Sequence, residues 1–269
     1  MTRPVRIGVQ LAPQHATYAV LRDRVREIED LGADVVFNWD HFFLLSGDRD
    51  GLHFESWTML AAIAEQTSRI ELGALVNCNS YRNANLQADM ARTIDHISDG
   101  RFIFGTGSGW FERDYTEYGY EFGTAGGRLD ALARDLPIIE NRWAVINPAP
   151  TRKIPVLIGG GGERKTLRIV AQHADIWHSF SDPETLARKL VILAEHGKDV
   201  GRDTSQIEIS TELNRRPAGP TGGGGLPTPN DADALHELGA TLFTVGIAGP
   251  EKDLTPVKQW LAWRDSVNG

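Results

Sequence analysis

Asp40 and His41 stand side by side directly after a short apolar run, Val35-Val36-Phe37-Asn38-Trp39. An imidazole changes charge near neutral pH and suits proton transfer. The neighbouring carboxylate suits a hydrogen bond to a polar ring edge, or a plain strand-end cap. His53-x-Glu55 follows and adds two more residues of metal-ligating type, but a third convincing partner is missing, so no metal is expected. Ser108, in Gly107-Ser108-Gly109, has the type of a nucleophile. Its surroundings lack the tight strand-turn-helix of a nucleophile elbow, and no acid partner stands out. Paired carboxylates for glycoside chemistry are also missing, since Glu212 alone qualifies at a strand end, with Asn214 beside it.

A second constellation is a loop. Val156-Leu157-Ile158 has the continuous apolar pattern of a strand covered on both faces. Gly159-Gly160-Gly161-Gly162 follow, then Glu163, then a helix with Leu167, Val170 and Ala171 on one face. Glycines let a ligand approach the main chain, and a helix N-terminus offers free N–H groups to a phosphate. Gly161 is expected to need a positive φ, so that a side chain there blocks the loop. A helix is expected to start at once after the glycines. The stretch is not a Walker loop, because Glu163-Arg164 follows the last glycine.

The elements that must position these groups alternate. Strands are predicted at 6–11, 33–39, 70–76, 101–105, 156–158, 174–178, 207–211 and 241–246, each followed by a helical pattern. Eight such units in about 250 residues define an α/β fold, the (β/α)8 or TIM barrel, as one domain over 1–269. An open doubly wound sheet fits less well, because the first loop has no Gly-x-Gly-x-x-Gly. After the fourth strand comes an aromatic-rich excursion with Trp110, Phe111, Tyr115, Tyr118, Tyr120 and Phe122. Active groups of such a barrel lie at the C-terminal ends of its strands. Asn77, Thr106 and Ser108 fall there and could pin the edges of a flat ring. A Gly/Pro-rich loop at 215–230 follows the seventh strand.

Charged residues make up 24% of the 269 residues and the formal net charge is −8, which argues against nucleic acid and anionic membranes as partners. Cys78 is the single cysteine, so no intrachain disulfide exists and a cytoplasmic location is expected. The first residues carry no apolar signal-peptide core, and no window is apolar enough to span a bilayer.

Taken in order, the motifs resemble the luciferase-like monooxygenase family, in its coenzyme F420-dependent oxidoreductase branch. The matching stretches are Leu31-Gly32-Ala33-Asp34, Asp40-His41-Phe42, Thr67-Ser68-Arg69-Ile70-Glu71-Leu72-Gly73, Tyr81-Arg82-Asn83, Ile94 to Arg101, Gly105 to Trp110, and the glycine loop through Trp177. The resemblance implies a flavin or deazaflavin at the barrel mouth, F420 or alternatively FMN fed by a separate reductase, and a small-molecule substrate. A cofactor-binding barrel without turnover is a further possibility within the superfamily. The resemblance gives Asp40 the ring edge and makes Leu75-Val76 a non-prolyl cis peptide behind the ring. Thr106, Gly107 and Ser108 line the ring, and Gly160, Gly161, Gly162 and Glu163 meet the phosphate. His41 stands near the hydride-transfer centre as the catalytic candidate, and His178 joins the cofactor-binding groups. Sugar-phosphate dehydrogenases of this branch carry a glutamate where Ser108 stands here, so glucose 6-phosphate is not the expected substrate. A homodimer is expected, with Trp57, Trp110 and the excursion as surplus surface aromatics.

Overall fold

The computed structural model describes residues 3–213 and 229–269; Asn214 and nearly all of the 215–230 loop lie outside them. The first half holds β1 (Arg6–Leu11), α1 (Tyr18–Asp30), β2 (Val35–Asn38), α2 (Ser56–Gln66), β3 (Glu71–Ala74), β4 (Asn77–Cys78) and α3 (Ala84–Ile97). Then come β5 (Phe102–Gly107), α4 (Glu112–Tyr118), α5 (Ala125–Val145), β6 (Val156–Gly159) and α6 (Thr166–His173). The last third holds β7 (Ile176–His178), α7 (Pro183–Val200), β8 (Glu208–Glu212), α8 (Pro229–Glu237), β9 (Ala240–Ile247) and α9 (Thr255–Asn268).

All strand pairs are parallel, in the order β3-β2-β1-β9-β8-β7-β6-β5-β4. β3 also pairs with β5, which closes the sheet. β3 and β4 are two pieces of the third strand, so eight strands make the barrel, as the alternation predicted. Side chains alternate across each strand. Ile7, Val9 and Leu11 of β1 join the core between barrel and helices with Leu21, Val25 and Ile28 of α1. The inward set is Val35, Phe37, Leu75, Ile103, Leu157, Ile176 and Leu242. At the N-terminal end, Arg6 binds Glu208 of β8 (2.6 Å) and Glu71 of β3, and Arg152 reaches Glu71 from outside (3.0 Å). A carboxylate–guanidinium cluster thus closes the end of the barrel away from the loops that follow the strands.

Local signals explain the helix ends. Thr17, Glu55, Asn83, Thr124 and Asp182 each accept a hydrogen bond from a first-turn N–H, which satisfies donors the helix leaves free. Gly32, at φ +85°, turns the chain out of α1.

The structure departs from the expected elements in four places. The third strand, expected unbroken over 70–76, is interrupted between Ala74 and Asn77; the Leu75–Val76 peptide within the break is cis, as the family resemblance implied. The aromatic excursion is not all loop, since it contains α4. The helix after the glycines starts at Thr166, after a turn over Glu163–Lys165. Trp57, counted among surface aromatics, is 2% exposed and packs inside the helix layer, whereas Trp110 is 60% exposed. No helix among the described residues is long and apolar enough to cross a membrane.

Candidate functional site

The C-terminal mouth has a floor made by the interrupted strand. The Gln10 amide, pointing inward from β1, donates to the Leu75 carbonyl (2.6 Å) and holds the break in place. Val76 lies across Gly107 of β5 and Gly159 of β6. A Cβ on Gly107 would sit 2.9 Å from one Val76 methyl, and a Cβ on Gly159 2.8 Å from the other. Below, a Cβ on Gly105 would land on the Ala74 carbonyl oxygen. Glycines at 105, 107 and 159 are therefore what let the chain carry an apolar platform across the barrel.

Asp40 and His41 leave β2 for different partners. The buried Asp40 carboxylate binds the Arg82 guanidinium through both oxygens (2.6 and 3.1 Å) and accepts from the Cys78 N–H (3.1 Å). Burial pushes its pKa up, against the opposing pull of Arg82. Arg82 also reaches Glu55 (2.8 Å), so both carboxylates considered as metal ligands are tied to a guanidinium. The His41 ring sets Nδ1 2.7 Å from the Asp114 carboxylate of α4, with the rings of Trp110 and Phe111 edge-on at 5.6 Å each. Asp114 is fully buried.

Two groups expected at the ring edge turn away from the mouth. Asn77 accepts from the Trp57 indole (2.8 Å) and donates to Gln87 (2.6 Å), so its amide is used between α2 and α3. Thr106 shares the helix-facing side of β5 with Phe102 and Phe104; its buried hydroxyl has no partner among the described residues. Ser108 offers its carbonyl to the Tyr115 hydroxyl (3.3 Å). His178 does face inward, and its Nδ1 is 2.8 Å from the Ser210 hydroxyl. Phe180, 64% exposed, stands edge-on to it.

The glycine loop is open. Gly160 and Gly162 are exposed, and Gly160 has φ +131°. Gly161 does not take a positive φ, contrary to expectation; a Cβ there would instead meet the Nζ of Lys189 from α7, with Ser179 behind it. Lys189 makes no ion pair among the described residues, and burial lowers its pKa, with Arg188 nearby adding to the effect. The Glu163 side chain is held by Arg188, and its carbonyl accepts from His196 (2.7 Å). Gly160 is engaged at both ends, its N–H on the His178 carbonyl (2.9 Å) and its carbonyl on the Trp177 indole (2.8 Å), so the loop offers the N–H groups of Gly161 and Gly162 with the Lys189 ammonium in reach.

Arg82, Asp114, Gln10 and Lys189 were not among the predicted site residues. Arg82 lies in a matching motif without a role, while Asp114 carries no local signal, since its partner is 73 positions away.

His53 sits beside His41, and its buried Nε2 has no partner among the described residues. Burial first, then the neighbouring His41, lowers its pKa from 6.5 to about 4. Between those values the unfolded chain binds this proton and the folded chain does not, so stability is lost as pH falls through that window. Unfolding by urea at pH 7 and pH 4.5 should show a smaller acid loss for His53→Leu than for the parent; equal losses would contradict it.

Fold and mouth together define a closed parallel (β/α)8 barrel with its polar constellation at the C-terminal strand ends. The sequence profile of the luciferase-like monooxygenase family matches residues 2–214, and the chain belongs to that family. It is thereby an oxidoreductase or monooxygenase of the luciferase-like kind. Among its relatives, the F420-dependent glucose-6-phosphate dehydrogenase of Amycolatopsis mediterranei is 28% identical over 70% of this chain and 63% of its own. The pyrimidine monooxygenase RutA of Klebsiella pneumoniae is 26% identical over 65% of this chain and 52% of its own. An F420-dependent secondary alcohol dehydrogenase, solved with an F420–acetone adduct, superposes with a TM-score of 0.81 at 15% identity, covering 94% of this chain and 96% of that one. The oxygenating component of a Pseudomonas putida diketocamphane monooxygenase, solved with FMN, gives 0.71 at 14% identity, covering 97% and 96%.

Proposed function

We propose that the chain transfers a hydride between coenzyme F420, held at the C-terminal mouth, and a small organic substrate. The observation that carries this reading is the floor, an apolar Val76 platform on Gly107 and Gly159 beside an open glycine loop with Lys189 in reach. A flat ring with an anionic tail fits that pairing. When bound, the coenzyme supplies a planar ring carbon that gives or takes the hydride. The rest is the work of this chain's residues. Val76 excludes water from beneath the ring. The N–H groups of Gly161 and Gly162 and the Lys189 ammonium bind the phosphate. Arg82 keeps Asp40 oriented at the ring edge. His41 takes or gives, at Nε2, the proton that accompanies the hydride.

Fluorescence titration of the purified protein with F420 and with FMN, followed by a screen for hydride transfer from reduced F420, tests the proposal. Tighter F420 binding with turnover supports it. FMN binding with reductase-fed oxygen consumption overturns it in favour of an FMN-dependent monooxygenase. Binding without turnover of any kind overturns it in favour of a non-catalytic barrel.

Gly161→Val should weaken cofactor binding about tenfold, about 1.4 kcal/mol. The added side chain displaces the Lys189 tip and blocks close approach of the phosphate. The fold should survive, because the group it meets is the end of a flexible side chain. Unchanged affinity in the same titration would move the phosphate to another part of the mouth.

A further inference from the structure

Asp114 accepts four hydrogen bonds and is 0% exposed. Its Oδ1 takes the main-chain N–H groups of Phe42 and Phe43, both at 3.1 Å. Its Oδ2 takes the Tyr81 hydroxyl (2.8 Å) and Nδ1 of His41 (2.7 Å). An ionised carboxylate only accepts. The Tyr81 hydroxyl must therefore point its proton at Oδ2, and so must His41 at Nδ1. The second ring nitrogen, Nε2, has no hydrogen bond to a described residue, and the ring stands edge-on to Trp110 and Phe111. The carboxylate comes from α4, inside the excursion after β5, and reaches across to the loop after β2.

We propose that Asp114 is the positioning residue of the site, fixing His41 in the Nδ1–H tautomer so that Nε2 is presented to the mouth as the proton acceptor. When the substrate is oxidised, its hydride leaving to the coenzyme of the proposed function, Nε2 takes the accompanying proton and the ring becomes an imidazolium, while Nδ1–H stays bonded to the Asp114 carboxylate. Tyr81 and the two N–H groups hold the carboxylate so that it cannot swing away when the ring changes charge. α4 is then part of the catalytic apparatus and not only a packed aromatic insert. This inference rests on the proposed proton role of His41.

Nitrogen-15 spectra of histidine-labelled protein, with no cofactor or substrate, test the tautomer directly. The His41 signals are assigned by their loss in His41→Asn. In the parent at neutral ring charge, the expected pattern is a protonated Nδ1 and an unprotonated Nε2. In Asp114→Asn the amide N–H would face Nδ1, and the ring should switch to the Nε2–H tautomer. Turnover by Asp114→Asn should fall about 100-fold or more, in the range that acid–base groups supply, and it should fall no further when His41→Asn is added. A parent ring protonated at Nε2 overturns the inference, and that measurement needs no variant to fold. An unchanged tautomer in a folded Asp114→Asn protein also overturns it. If the tautomer behaves as expected but His41→Asn turns over normally, the proton role of His41 fails while the positioning by Asp114 stands.

Discussion

His41→Asn is expected to lower turnover by about two orders of magnitude or more, while cofactor affinity stays within about threefold, under 1 kcal/mol. Asparagine keeps similar size and can still donate to Asp114, so the buried carboxylate stays satisfied. What it lacks is a second ring nitrogen that can take and release a proton. Affinity should hold because the cofactor contacts assigned to Val76, the glycine loop and Lys189 do not involve His41. Single-turnover kinetics beside an equilibrium titration separate the two quantities. Normal turnover would make His41 structural and would require the proton to come from another group or from water.

Gly105→Val is expected to cost about 3 kcal/mol or more of stability, at the upper end of what overpacking in a core costs. The obstacle is main chain: the new Cβ would fall on the Ala74 carbonyl oxygen, with a Leu157 methyl at 3.7 Å. A flexible side chain could move aside, but a carbonyl at the end of β3 cannot do so without shifting the strand break. Because the break carries Val76, cofactor binding should weaken along with the melting temperature. Parental stability by calorimetry would show that the break adjusts freely and that Gly105 is not required there.

The barrel was legible because its periodicity is local. Ile7, Val9 and Leu11 announce a strand, and Leu21, Val25 and Ile28 announce a helix, within a few residues of each other. Strand ends then point to Asp40, His41 and the glycine loop. The site's inner wiring was not legible for the opposite reason. The partner of His41 comes from 73 positions away and the partner of Asp40 from 42 positions away. No spacing rule links them. Side-chain direction also escaped, since Asn77 and Thr106 sit at strand ends yet face the helices. The interruption of the third strand shifts alternation there, and periodicity alone cannot anticipate a shift. Gly161 shows a third limit: a run of glycines marks a close approach, but does not say which member needs the unusual backbone and which makes room for a lysine.

The platform of Val76 on two glycines has an evolutionary side. It is made by three adjacent strand ends and forms the floor of the mouth. The residues that keep the barrel standing lie beneath it, down to the Arg6 cluster at the far end. A lineage can therefore lengthen, shorten or replace the loops above the platform while the foundation stays unaltered. Drift in what the protein accepts and drift in how well it folds become separate histories, written in different residues.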